Sequence, residues 1–255
     1  MSDLPDSGNR KRSLLSTRRL VTLLLSLCAG SVTWGFIHTQ DPFFKVGEKY
    51  HIRGLGESTE RWDAYLVQQS RIDLKNAALV IGILGGALGA AVAIGSLSSV
   101  SLSISLGTRV ATGTIMGILI GGLAGISGCG LQQVFAKSSQ ISIEQSAIIN
   151  ATLFGILGTG LGAIVGGYGG SVRAIMERSI VGLIAGVVPG VAYPIIASCL
   201  MASLNIETFI PTVTLARFLW LGVGTGIHGL LLPIGNERNI RSSTIAAESS
   251  GLSHD

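Results

Sequence analysis

Long apolar stretches alternate with short polar ones along this chain. Six of them, residues 20–37, 77–97, 110–130, 147–168, 180–202 and 215–234, approach or exceed the length needed to cross a hydrocarbon layer. Such a layer is about 30 Å thick and takes about 20 helical residues at about 1.5 Å each. Main-chain groups in lipid have no water to bond to, so each stretch is predicted as a helix. The fold class that follows is an all-α polytopic membrane bundle, with a five-helix core over residues 77–235.

The polar segments divide the rest. Residues 1–19 form a basic N-terminus ending in "RKRSLLSTRR". The first apolar stretch could be read as a signal peptide, but its length of about eighteen residues exceeds the 7–15 of a signal core. Leu27 also stands before Cys28 where lipoprotein processing takes a small residue, so 20–37 reads as a membrane anchor. Residues 38–76 form a long loop. Within it, "STERWDAYLVQQSRIDLKN" reads as an amphipathic helix capped by Ser58, with Trp62, Tyr65, Leu66 and Ile72 on one stripe. It is expected to run unbroken into the second span, rest on the bundle and hold its two rings near the lipid headgroups. Residues 96–107, where serine and apolar residues nearly alternate, read as a capping loop or a ragged continuation of the flanking helices, and 236–255 as a disordered tail.

Glycine has its own pattern inside the spans. In "GTIMGILIGGLAG" it recurs at Gly113, Gly117, Gly121 and Gly125. The same four-residue spacing holds Gly158, Gly162, Gly166 and Gly170, then Gly182, Gly186 and Gly190, and finally Gly222 and Gly226. Each glycine costs a helix roughly 1 kcal/mol relative to alanine. What it provides is a groove without side chains, into which a neighbouring main chain can settle. Lipid tails are as apolar as leucine, so helices in a bilayer associate through such close contact and weak Cα–H···O bonds. "GILGGALGA" at 82–90 and "GILGTGLGA" at 155–163 agree at seven of nine positions. Residues 77–130 and 147–202 therefore read as a parallel duplication of a two-helix unit, related by an axis along the membrane normal.

Composition fits this picture. Charged residues are 13% of the chain, against about 25% in soluble proteins, and mean hydropathy is +0.58. All fourteen acidic residues lie outside the six apolar stretches. The net charge of +4 belongs to loops and tails, and no basic face interleaved with aromatics suggests nucleic-acid binding. Arg10, Lys11, Arg12, Arg18, Arg19, Arg109, Arg173, Arg178, Arg238 and Arg241 fall on one side, and Lys137 and Arg217 on the other, apart from the charge-balanced first loop. The rule that positive loops stay inside then predicts a bacterial-type inner membrane protein with both termini cytoplasmic. Cys28, Cys129 and Cys199 are widely spaced and read as lipid-compatible packing residues, with neither a disulfide framework nor a metal site.

Chemistry-bearing residues are few. "GISG" at 125–128 resembles the G-x-S-G of rhomboid proteases, which implies Ser127 as nucleophile and His228 as its partner. Counting the helical rise, however, separates their depths by roughly 15 Å. His228 stands deep in the last span as a candidate binding residue or a packing hydrogen bond. "VVPGVAYPII" carries Pro189, Gly190, Tyr193 and Pro194, where lost donors should kink or open the helix. Asn150 is a further candidate for binding or packing, and Arg217 reads as a snorkelling edge residue. No carboxylate lies within the spans, which disfavours coupled proton or cation transport. No cofactor is called for. The expected role is a non-enzymatic structural or assembly component, with a channel or carrier for a small uncharged solute as the alternative and a protease-like or lipid-acting enzyme third. The expected partners are the bilayer and another copy of the chain meeting along the glycine ridges.

Overall fold

The computed structural model describes residues 7–40, 42–50, 58–96, 105–137, 141–200, 210–211 and 213–232. Their regular structure is helical throughout: α1 (Ser7–Gln40), a single 3-10 turn (Glu48–Tyr50), α2 (Thr59–Gly95), α3 (Leu106–Ala136), α4 (Ile143–Tyr168), α5 (Val172–Leu200) and α6 (Thr214–Leu231). Arg19–Thr39 of α1, together with α2, α3, α4 and α5, are long and apolar enough to cross a membrane. The chain is an integral membrane protein. Helix α6 falls just short of that standard, because its 18 described residues include both Arg217 and His228. The predicted capping loop at 96–107 and the tail at 236–255 lie wholly or mostly outside the described residues.

Each helix packs on the next in sequence, and α6 returns to α1, so the six close a ring. Helices α2 and α4 also touch across it and supply most of the core: Val80, Ile81, Leu84 and Leu88 from one, Leu153, Phe154, Leu157 and Leu161 from the other. Helices α3 and α5 are built the opposite way. Their glycines face inward, while Ile115, Leu119 and Leu123 of α3 and Ile180, Ile184 and Val188 of α5 are exposed. That is the expected arrangement where the surrounding solvent is itself apolar and close main-chain contact drives association.

The most extensive contacts are within the hairpins α2–α3 and α4–α5. In the first, Gly113 opposes Gly89, Gly117 opposes Gly85, Gly121 opposes Ile81 and Gly125 opposes Ala77. At each of these α3 positions a methyl group would fall inside van der Waals contact of the opposing carbonyl oxygen. In the second hairpin Gly162 opposes Arg178, Gly158 opposes Gly182, Gly186 opposes Phe154, and Gly190 opposes Asn150 and Ala151. Gly166 packs on Ile175, whose Cα is 2.5 Å from where its Cβ would be. The two hairpins thus share one register. Gly85 and Gly158 hold equivalent stations, as do Gly89 and Gly162. The second hairpin departs from the first where Asn150 replaces Ala77, Phe154 replaces Ile81 and Arg178 replaces Gly113.

Several sequence expectations change. Gly170 does not extend the α4 ridge; it sits in the α4–α5 turn at φ 71°, a conformation that favours glycine. Gly222 would meet nothing within 4 Å and Gly226 only Leu27; the close approaches of α6 come from Gly224 and Gly229 instead. Four-residue spacing marks a stripe on a helix, and on α6 that stripe is not the one its neighbours touch. Ser58 does occupy the N-cap of α2, but its side chain makes no capping bond. Helix α2 runs unbroken through the span, yet residues 59–64, 66 and 67 are exposed, including Trp62 and Leu66. They do not rest on the bundle, because α1 ends at Gln40 and the chain after it meets α2 near Asn76, whose Oδ1 accepts from the Phe44 N–H at 2.9 Å.

Candidate functional site

Asn150, Trp220 and His228 are buried where α6 lies against the α4–α5 hairpin. Helices α4 and α6 meet at three successive stations, four residues apart on each: Asn150 with Trp220, Phe154 with Gly224, and Gly158 with His228. Four residues is just over one helical turn, so these stations form a single seam between two helices running the same way.

At the first station the Trp220 Nε1–H donates to Asn150 Oδ1 at 2.8 Å, and Asn150 Nδ2 donates back to the Ser146 carbonyl at 2.9 Å. Both side chains are buried, so the bond satisfies groups that lipid could not. At the second, the Phe154 ring lies 5.5 Å from the Trp220 ring and fills the space left by Gly224, where a Cβ would come within 2.5 Å of it. At the third, the imidazole of His228 is 0% exposed. Its Nδ1 lies 2.6 Å from the Gly224 carbonyl, one turn back. A carbonyl oxygen can only accept, so Nδ1 carries the proton. The other nitrogen, Nε2, is buried without a hydrogen-bond partner. It sits 2.9 Å from where a Gly158 Cβ would be, a space that exists only because residue 158 is glycine.

Helix α5 closes the back of this site. Gly190 packs directly on Asn150 and Ala151, and Pro189 and Tyr193 are buried beside it along α5. The helix is continuous from Val172 to Leu200 through both prolines, so the predicted opening at Pro189 is not seen. Each proline removes a single donor, and tight packing on α4 lets the helix continue through both. Asn150 and the Pro189–Tyr193 turn share one end of the seam. His228 lies at the other, about 12 Å along α4 by helical rise. The candidate residues therefore line a packed seam without converging on one point.

Ser127 is not part of it. The serine is exposed on α3 while His228 is enclosed between α6 and α4. Among the described residues no three His, Cys, Asp or Glu side chains come together. Cys129 is buried, whereas Cys28 and Cys199 are exposed. Arg217 is buried rather than snorkelling, its Nε donating to the Pro211 carbonyl at 2.8 Å. Arg109 and Arg178, read from sequence only as topological charges, are buried as well. Tyr168 ties the two hairpins together by donating to the Arg109 carbonyl at 2.9 Å.

On its far side α6 meets α1 through small and hydroxylated residues. Thr225 packs on Gly30, and Gly229 packs on Leu23 and Ser26. Thr225 and Thr33 return their hydroxyls to their own helices at 2.8 Å, to the carbonyls of Leu221 and Ala29. Sequence reasoning missed the parts played by Trp220, Phe154, Gly224 and Gly229. The parallel spacing of 150, 154, 158 and 220, 224, 228 was the available signal. Comparison with protein-family models, curated proteins and solved structures finds no match to this chain.

Proposed function

We propose that this protein is a non-enzymatic structural or assembly component of a bacterial-type inner membrane, with both termini cytoplasmic. The observation that carries this reading is the interlock of glycine against carbonyl along both hairpins. Each hairpin is thereby held as a rigid unit, as suits a component whose task is to present a fixed surface. The polar side chains of the seam are also engaged in packing: Asn150 with Trp220, and His228 with Gly224. The orientation draws support from Arg19, Arg109, Arg173 and Arg178, which helix direction brings to the same end of the bundle. A homo-oligomer would use the exposed faces of α3 and α5, because the ridges are filled within the chain.

Reconstitution into vesicles tests the proposal. Flux of a panel of small uncharged solutes should equal that of empty vesicles, and deletion of the gene should be complemented by His228→Gln but not by Gly182→Leu. Solute flux above background that is lost in His228→Ala would overturn it in favour of a carrier. One observation favours that second reading: Pro189 and Pro194 leave the carbonyls of Ala185 and Gly190 without their helical donors, close to Asn150. A lipid species lost on deletion, and restored only with Ser127 or His228 intact, would point instead to an enzyme.

A further inference from the structure

We propose that His228 is a proton-binding site inside the bundle, and that protonation releases α6 from the α4–α5 hairpin. This inference is independent of the structural role proposed above. With its Nδ1 proton committed to the Gly224 carbonyl, the neutral ring presents only a lone pair at Nε2. That nitrogen lies against Gly158, where the missing side chain leaves room for the ring.

A second proton can arrive only at Nε2, and among the described residues its charge would find no counter-ion. On α4 the neighbours of the ring are Phe154 and Gly158, neither of which titrates, and the Phe154 carbonyl is the acceptor within reach. On α5 the facing residue is Gly182, and one turn away is Arg178, a cation. Glu177 lies beside it but is exposed and paired with Arg173 at 2.8 Å. Tyr193, further along α5, is neutral across this range. On α1 the residues against the last turn of α6 are Leu23 and Ser26, and the charged group one turn on is Arg19, again a cation. A charged imidazole enclosed at 0% exposure among uncharged groups and cations is costly. The bundle can lower that cost by letting α6 move away from Gly158, toward the bilayer edge.

The structure carries its own reporter of this movement. Trp220 sits on the same seam, bonded to Asn150 and packed on Phe154, so release of α6 must change its surroundings. The chain has three tryptophans, and Trp34→Phe with Trp62→Phe leaves Trp220 alone. In lipid nanodiscs, that protein should show a reversible shift in Trp220 emission as the pH is lowered from about 8 to about 4, a range carried below the ordinary histidine interval because a charge so enclosed is costly. The shift should vanish in His228→Gln and persist when His38, His51 and His254 are all replaced by glutamine. In the variant holding His228 alone, the ring's nitrogen NMR signals should change from the Nδ1–H neutral form to the doubly protonated form through the same transition. An unchanged emission across the range, the same transition in His228→Gln, or a ring that stays neutral while Trp220 responds would each overturn the proposal. The ring measurement needs no substitution at 228, so a poorly folding variant would not shield the idea.

Discussion

Replacing Gly182 with alanine sets two effects against each other. Alanine is the better helix former by roughly 1 kcal/mol in water. A chain unfolded within a bilayer remains helical, however, so most of that gain cancels between the two states. Against it stands the contact with α4. The new methyl would lie inside contact distance of the Gly158 carbonyl oxygen, 2.8 Å from its carbon and 3.2 Å from the Gly162 Cα. Main chain cannot swing aside as a side chain can, so the hairpin must open by roughly 1 Å, which forfeits about a quarter to a half of each contact along it. Overpacking of this kind costs about 1–3 kcal/mol. Gly222 on α6 is the control, since a methyl there would meet nothing within 4 Å. Equilibrium unfolding in mixed micelles, followed by Trp220 fluorescence, should find Gly182→Ala destabilised by about 1–3 kcal/mol and Gly222→Ala within about 0.5 kcal/mol of the parent. Gly117→Ala, at the equivalent station of the first hairpin, should match Gly182→Ala. Equal stabilities for the Gly182 and Gly222 variants would refute the claim that main-chain apposition holds the hairpins.

Three further outcomes are expected. Asn150→Leu and Trp220→Phe should each cost about 0.5–1.5 kcal/mol, and the double variant little more than either, because both remove one buried bond; a double-mutant cycle of unfolding free energies measures this. Gly170→Ala should cost about 1–2 kcal/mol in the same assay, since φ 71° strains any side chain, although nothing lies near enough to clash. Ser142→Ala should cost about 1 kcal/mol by removing the reciprocal pair in which Ser142 Oγ accepts from the Gln145 N–H and Gln145 Oε1 accepts from the Ser142 N–H. Its measured loss should be matched by Gln145→Ala to within a few tenths.

The hairpins were legible in the sequence because their cause is local. On α3, α4 and α5 glycine every fourth residue marks the face turned to the neighbour in sequence, and the near-identical nine-residue segments at 82–90 and 155–163 carried Gly85, Gly89, Gly158 and Gly162 into matching stations. Helix α6 was less readable for the same reason. It holds Gly222, Gly224, Gly226 and Gly229, and spacing alone cannot say which of them will face a neighbour. That depends on Phe154 and Leu23, which arrive from distant parts of the chain. Asn150 was recognised as a packing or binding residue, but its bond partner Trp220 is seventy positions away and nothing local announces it. The prolines of α5 announced two missing donors, but not that the helix would run continuously through both.

The seam between α1 and α6 bears on how the protein is made. Ser26 and Gly229 are roughly 200 residues apart, so at about 5–20 residues per second the first helix waits on the order of 10–40 s for the last to be synthesised. Both hairpins can close in that interval, because each joins neighbours in sequence. Throughout the delay α1 must tolerate lipid on the face that α6 will cover. Thr33 bonds to its own helix through Ala29, a bond that needs no partner helix. Helix α1, made well before α6, is thus equipped to wait for its mate.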